Sequence, residues 1–208
     1  HAFPHEFRNR PDDYVKVICE RMLPYVAKKN LARFCDVFCD KGYFTVGQSR
    51  TILQKAKSVG LGAKIHADEM SNIGASSLAA ELGVVSADHL ENTTTEEIKK
   101  FQNSGTIAVL LPGVSFFLNH MHANARDLID AGIPVAIASD FNPGSCMSFS
   151  MPLMMTIACT QMHMTPEEAI TASTLNAAAA LRLSDKLGSI EAGKQADIVL
   201  CEIPNYQY

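Results

Sequence analysis

Four side chains in this sequence stand where chemistry is commonly done, at the ends of short apolar runs. Ala63-Lys64-Ile65 leads into His66-Ala67-Asp68-Glu69, and Val84-Val85-Ser86-Ala87 leads into Asp88-His89-Leu90-Glu91. Val135-Ala136-Ile137-Ala138 leads into Ser139-Asp140-Phe141-Asn142-Pro143-Gly144-Ser145. Such runs, bounded by turn residues, read as buried strands. In parallel α/β folds the chemistry sits at the carboxyl ends of the strands. A lone Asp in that position is ordinarily an Asx-turn, but strand ends that deliver His66, His89 and Asp140 together make a site. His66 and Asp140 offer imidazole and carboxylate, a ligand set for a catalytic metal such as zinc or iron. Glu69 is placed to orient or deprotonate the attacking water, and His89 to polarise a carbonyl or shuttle a proton. A catalytic zinc usually takes three protein ligands plus water, so the remaining ligands are expected from outside this segment.

Strands near residues 36, 65, 86, 108 and 136 must position these groups, with helices between them. One helix runs from Pro11 to about Ala27, and Pro24 is expected to kink or end it. Thr45 caps a second that Gly60 ends, a third spans about Ile73 to Leu82, and Thr94-Thr95-Glu96-Glu97 is a capping box opening a fourth. The apolar run Thr106–Leu111 is halted by a Pro112-Gly113 loop, and Asn124–Ala131 is helical. Beyond the Asp140 loop, Ser150–His163 and a single helix from Thr165-Pro166-Glu167-Glu168 to about Leu181 follow. From Gly188 turn residues precede an apolar strand at Ala196–Leu200, which divides the chain into a main portion, 1–187, and a small β unit, 188–208. Uniform strand–helix alternation with apolar strands means a parallel sheet, either closed into a barrel or open and doubly wound. Five βα units are only part of an eightfold barrel, which typically needs about 250 residues. With no initiator Met and a loop-like start at His1, the segment is expected to be a piece of a longer chain.

Composition sets outer bounds. The 208 residues are 47% hydrophobic and 19% charged, with a formal net charge of −4. That is ordinary for a globular protein and gives no electrostatic reason to expect nucleic acid or an anionic membrane as a partner. Apolar runs stop well short of the ~18 residues that span a bilayer. The six cysteines form no C-x-x-C pair and mostly sit among apolar neighbours, as reduced cytoplasmic core thiols do. His120, His122 and His163 read as loop or structural residues. Gly60-Leu61-Gly62 precedes a strand instead of following one, so it is no dinucleotide fingerprint.

Several motifs, in order along essentially the whole chain, resemble the imidazolonepropionases of the amidohydrolase superfamily. They are Asp36-Val37-Phe38-Cys39, His66-Ala67-Asp68-Glu69, Ser86-Ala87-Asp88-His89-Leu90-Glu91, Leu111-Pro112-Gly113 with Ser115-Phe116-Phe117-Leu118, and Ser139-Asp140-Phe141-Asn142-Pro143-Gly144-Ser145. The run Gly188-Ser189-Ile190-Glu191-Ala192-Gly193-Lys194-Gln195-Ala196-Asp197 is similar too, although many amidohydrolases share it. The resemblance implies a metal-dependent (β/α)₈ TIM barrel whose fourth to eighth strands lie here, with the start of a β-sandwich at the C-terminal end. It implies cytoplasmic hydrolysis of 4-imidazolone-5-propanoate to N-formimidoyl-L-glutamate in histidine degradation, with one zinc or iron ion. A homodimer is allowed but not required.

By the same resemblance His66 matches the fifth-strand metal ligand and Asp140 the eighth-strand ligand, which also counts among the catalytic residues with Glu69 and His89. Glu69 adjoins water and substrate, while Asn142, Gly144 and Ser145 match a substrate-holding loop, and His1 a substrate-binding histidine. The family's His-x-His pair on the first strand and its substrate-binding Arg and Tyr have no counterpart here. Without them the segment alone is expected to be inactive. Two rivals remain: a dihydroorotase- or hydantoinase-like enzyme, in which Lys64 would be the carboxylated lysine of a paired-metal site, and an inactive barrel serving as a scaffold.

Overall fold

The computed structural model describes residues 2–206, so the expectation for His1 lies outside the described residues. The chain divides into two compact units, His1–Thr106 and Ile107–Tyr208.

In the first unit, strands β1 (Phe34–Cys39), β2 (Gly62–Ala67) and β3 (Ser86–His89) pair in parallel in chain order. Helix α3 (Val46–Ser58) packs on β1 and β2, and α4 (Ala75–Leu82) packs on β2 and on α5 (Thr95–Phe101). The helix starts follow from side-chain capping. Thr45 accepts from the Gln48 amide while the Gln48 side chain accepts from the Thr45 amide, and Thr94 with Glu97 repeats the arrangement. Gly60 and Gly83, both at positive φ, follow the ends of α3 and α4, where only a residue without Cβ turns cheaply into the next strand.

The amino-terminal helix differs from expectation. It runs as α1 (Pro11–Val17), a π-helical stretch (Ile18–Met22) and α2 (Leu23–Lys28) without a break. Pro24 falls in the first turn of α2, and the wider π turn just before it absorbs the hydrogen bond that proline cannot donate. Strand β3 also begins later than the apolar Val84-Val85 pair suggests, so Asp88 and His89 belong to the strand itself.

In the second unit β4 (Ile107–Leu110) pairs in parallel with β5 (Val135–Ile137). The residues of both strands are buried, the pattern of a parallel strand covered on two sides. Helices α7 (Ala125–Asp130) and α9 (Pro166–Ser173) pack on β5, α10 (Leu175–Ala180) packs on β4 and β5, and α8 (Met151–Gln161) packs on α9. The core here joins Ile107, Val109 and Leu111 to Val114, Ala136, Cys146, Met154 and Ala180.

Three expectations are corrected in this unit. Pro112-Gly113 is not a loop but the first turn of α6 (Pro112–Leu118), because proline at the start of a helix gives up an amide that has no partner there anyway. The helix expected from Thr165 to Leu181 breaks at Thr174, whose φ of −122° and ψ of −85° are not helical. No strand forms between residues 188 and 206 among the described residues, and Val199 and Leu200 are 85% and 96% exposed. An isolated apolar strand has no backbone partner to pair with. Among the described residues, no helix is long and apolar enough to cross a membrane.

Candidate functional site

The parallel register of the first unit builds one polar face. Asp36 lies opposite Lys64, which lies opposite Ser86; in the next pleat Phe38 lies opposite His66, and His66 opposite Asp88. Strand side chains alternate between faces, so the half-buried Lys64 and His66 stand apart from the buried Ala63, Ile65 and Ala67. His66 Nδ1 lies 3.0 Å from Asp36 Oδ1. Asp36, His66 and Asp88 each offer a ligand atom, and these atoms lie within 4.8 Å of one another. Asp88 accepts from Ser86 Oγ at 2.7 Å, and burial pushes its carboxyl above the usual range despite the charge of Lys64. The Lys64 ammonium lies 5.5 Å from the Phe34 ring centroid.

Glu69 and His89 come together at the mouth of this face. Glu69 Oε2 is 3.4 Å from His89 Nε2, and Glu91 Oε2 is 3.7 Å from Nδ1 on the other side of the ring. The His89 side chain is 2% exposed, and its ring centroid lies 5.1 Å from that of His66. Two consecutive residues here, His89 and Leu90, hold φ of 81° and 71°. Left-handed backbone in side-chain-bearing residues is costly and persists where the surroundings impose it, commonly at functional sites.

The turn that carries Glu69 is fixed from beneath. Asp68, also left-handed at φ 53°, accepts from the Ala75 and Ser76 amides and from Thr93 Oγ1. Burial pushes its carboxyl up, against the hydrogen bonds that Ser76 and Thr93 supply. Asn92 Nδ2 donates to the carbonyls of Asp68 and Glu69, and Asp40 accepts from the Met70 amide and Ser71 Oγ. Cys35 and Cys39, which burial pushes up to about 11, hold their protons at neutral pH and are poor nucleophiles or ligands.

In the second unit the four remaining expected residues share one loop. Asp140 leaves β5 at φ 48°. Asn142 Oδ1 accepts from the Gly144 and Ser145 amides, both at 2.8 Å, while Nδ2 donates to the Asp140 carbonyl at 2.8 Å and to Ser145 Oγ at 2.7 Å. His120 and His122 follow α6 and belong to no ligand cluster among the described residues.

Asp36 and Asp88 stand beside His66 without any local sequence signal that announces it. Both motifs containing them are visible, but only the pairing register places them beside it.

Residues 14–207 match the model of the Amidohydrolase family. The chain is 52% identical over 207 residues to the imidazolonepropionase of Shouchella clausii strain KSM-K16, covering 100% of this chain and 46% of that protein. It is 52% identical over 206 residues to the imidazolonepropionase of Geobacillus sp. strain WCH70, covering 99% of this chain and 49% of that protein. The chain thus spans about half the length of the curated relatives it matches. Among solved structures, it is similar to a 5-methylcytosine deaminase from Klebsiella pneumoniae at a TM-score of 0.73 and 16% identity, over 94% of this chain and 54% of the other.

Proposed function

Because the chain belongs to the amidohydrolase family, we propose that it is the later part of a metal-dependent hydrolase that opens the ring of 4-imidazolone-5-propanoate to give N-formimidoyl-L-glutamate. The observation that carries this reading is the 52% identity to an imidazolonepropionase maintained across 207 residues.

In this reading His66 and Asp140 hold one zinc or iron ion. The donor chemistry fits: a carboxylate only accepts hydrogen bonds, so Asp36 keeps the His66 proton on Nδ1 and the lone pair on Nε2. When bound, the metal supplies Lewis acidity toward water and the ring carbonyl. The rest is work for the chain's own side chains. Glu69 takes a proton from the attacking water, and His89, 3.4 Å away, polarises the carbonyl or carries the proton toward the leaving nitrogen. The His89 side chain is withdrawn from water while Glu69 stays partly open to it, so the acid can meet the water and the imidazole holds a fixed position behind it. Asn142, Gly144 and Ser145 hold the substrate, with Asn142 fixing the loop, and His1 contributes a further substrate contact. A small molecule is the partner in this reading, and the compartment is the cytoplasm.

The test is a hydrolysis assay of the full-length protein with 4-imidazolone-5-propanoate, hydantoin and dihydroorotate. Opening of the imidazolone ring alone is expected. Turnover of hydantoin or dihydroorotate instead would favour the paired-metal rivals, and turnover of none would favour a scaffold.

A further inference from the structure

We propose that Asp36 is a positioning residue that fixes His66 in the tautomer and ring orientation needed to bind metal through Nε2; this rests on reading His66 as a ligand. The observation is the 3.0 Å contact between Asp36 Oδ1 and His66 Nδ1. It is a built contact. The two residues sit on adjacent parallel strands, where Asp36 pairs with Lys64 and Phe38 with His66, so the carboxylate reaches the imidazole diagonally across a ladder fixed by backbone hydrogen bonds. Both side chains are largely withdrawn from water, at 29% and 19% exposure. A charge-assisted hydrogen bond in that setting outweighs competition from solvent. The ring is also held by its neighbours, with Phe38 and His89 at centroid distances of 5.7 Å and 5.1 Å.

The alternative is that Asp36, His66 and Asp88 bind an ion directly, since their ligand atoms cluster within 4.8 Å. The contact between Asp36 and His66 argues against it: the Asp36–Nδ1 separation is that of a hydrogen bond to a protonated nitrogen, which offers no lone pair to an ion. Carboxylates that orient a ligating histidine raise its basicity, and their loss typically weakens metal binding by about 10- to 100-fold.

The experiment measures zinc affinity of the full-length protein by competition with a chromophoric chelator, alongside thermal melts of the metal-free forms. Asp36→Ala should weaken zinc binding by about 10- to 100-fold while the metal-free melt stays near wild type. Asp36→Asn, which keeps shape and an accepting oxygen, should fall between the two and answers the question if Asp36→Ala does not fold. Asp88→Asn should bind zinc nearly as wild type. Unchanged affinity in both Asp36 variants would overturn the proposal. Equal losses in Asp36→Asn and Asp88→Asn would overturn it in favour of direct ligation by the three residues. If His66→Ala still binds zinc tightly at one equivalent, the ligand reading beneath the proposal fails instead, and that result is separate from the behaviour of Asp36.

Discussion

The carboxylate of Glu69 and the imidazole of His89 face each other at 3.4 Å, one from the turn after β2 and the other from the last residue of β3. Parallel pairing brings the two strand ends side by side, and a bed of hydrogen bonds from Asp68, Asn92 and Asp40 holds the intervening turn. The pair therefore has defined geometry without help from a ligand.

If Glu69 and His89 move one proton between them, removing either should cost as much as removing both. Glu69→Gln and His89→Ala should each lower kcat by about 10²–10⁴-fold with metal retained. The double variant should lose little more than the worse single variant. Steady-state kinetics on the three proteins decide this. Multiplying losses would mean that the two residues act separately.

Asn142 supplies three of the internal bonds of the Asp140 loop through Nδ2 and both of its amide-accepting contacts through Oδ1. Asn142→Ala should therefore let the loop drift and lower kcat/KM by about 10²-fold, the usual penalty for a displacement of about 1 Å at a site. The melting temperature should barely move, because Phe141, Pro143 and Gly144 of the loop are exposed and its backbone bridge to the core residue Cys146 does not involve the Asn142 side chain. A fall in melting temperature with kcat/KM unchanged would assign Asn142 to stability alone.

How far the sequence reached can be judged residue by residue. Thr45, Thr94 and Thr165 announce helix starts because a capping box is a local device, complete within four residues, and all three are formed. The five strands were legible from their apolar runs. Asp36 and Asp88 were not legible as partners of His66, because that relation depends on register between strands about 20 to 30 residues apart, which no local pattern encodes. The α6 start at Pro112 is not legible, because proline both ends strands and begins helices, and the two uses look alike in sequence. The interruption at Thr174 falls among Thr171, Ser173, Thr174 and Asn176, weaker helix formers than the alanines around them, and the Ser173 and Thr174 hydroxyls donate to the Ile170 carbonyl.

Core packing around β4 leaves no room at Gly113. An added Cβ would lie 2.6 Å from Cys146 Sγ and 2.8 Å from Met154 Sδ. Gly113→Ala should destabilise by about 1–3 kcal/mol through overpacking, read by chemical denaturation. Gly47→Ala, where a Cβ meets nothing within 4 Å, should be neutral or slightly stabilising and serves as the control.

Glu168 ties α9 to α7 through a two-point contact with Arg126, at 3.0 Å for each bond, and also closes the Thr165 cap. Hydrogen bonding to Arg126 holds its carboxyl below the ordinary value of 4.5. A carboxylate whose pKa is depressed by folding stabilises the protein above its unfolded-state value, and that contribution is lost as pH falls through the folded one. Glu168→Gln should thus lower the melting temperature at pH 7, with the difference shrinking below pH 4.5. A difference independent of pH would mean that charge has no part in the contact.

The central claim, a single-metal site with His66 and Asp140 among its ligands, is tested most directly by elemental analysis of the full-length protein and its His66→Ala and Asp140→Ala variants. One zinc or iron ion per chain in the wild type, lost in both variants, is the predicted result. Stoichiometric metal retained in either variant, or two ions per chain in the wild type, would contradict it.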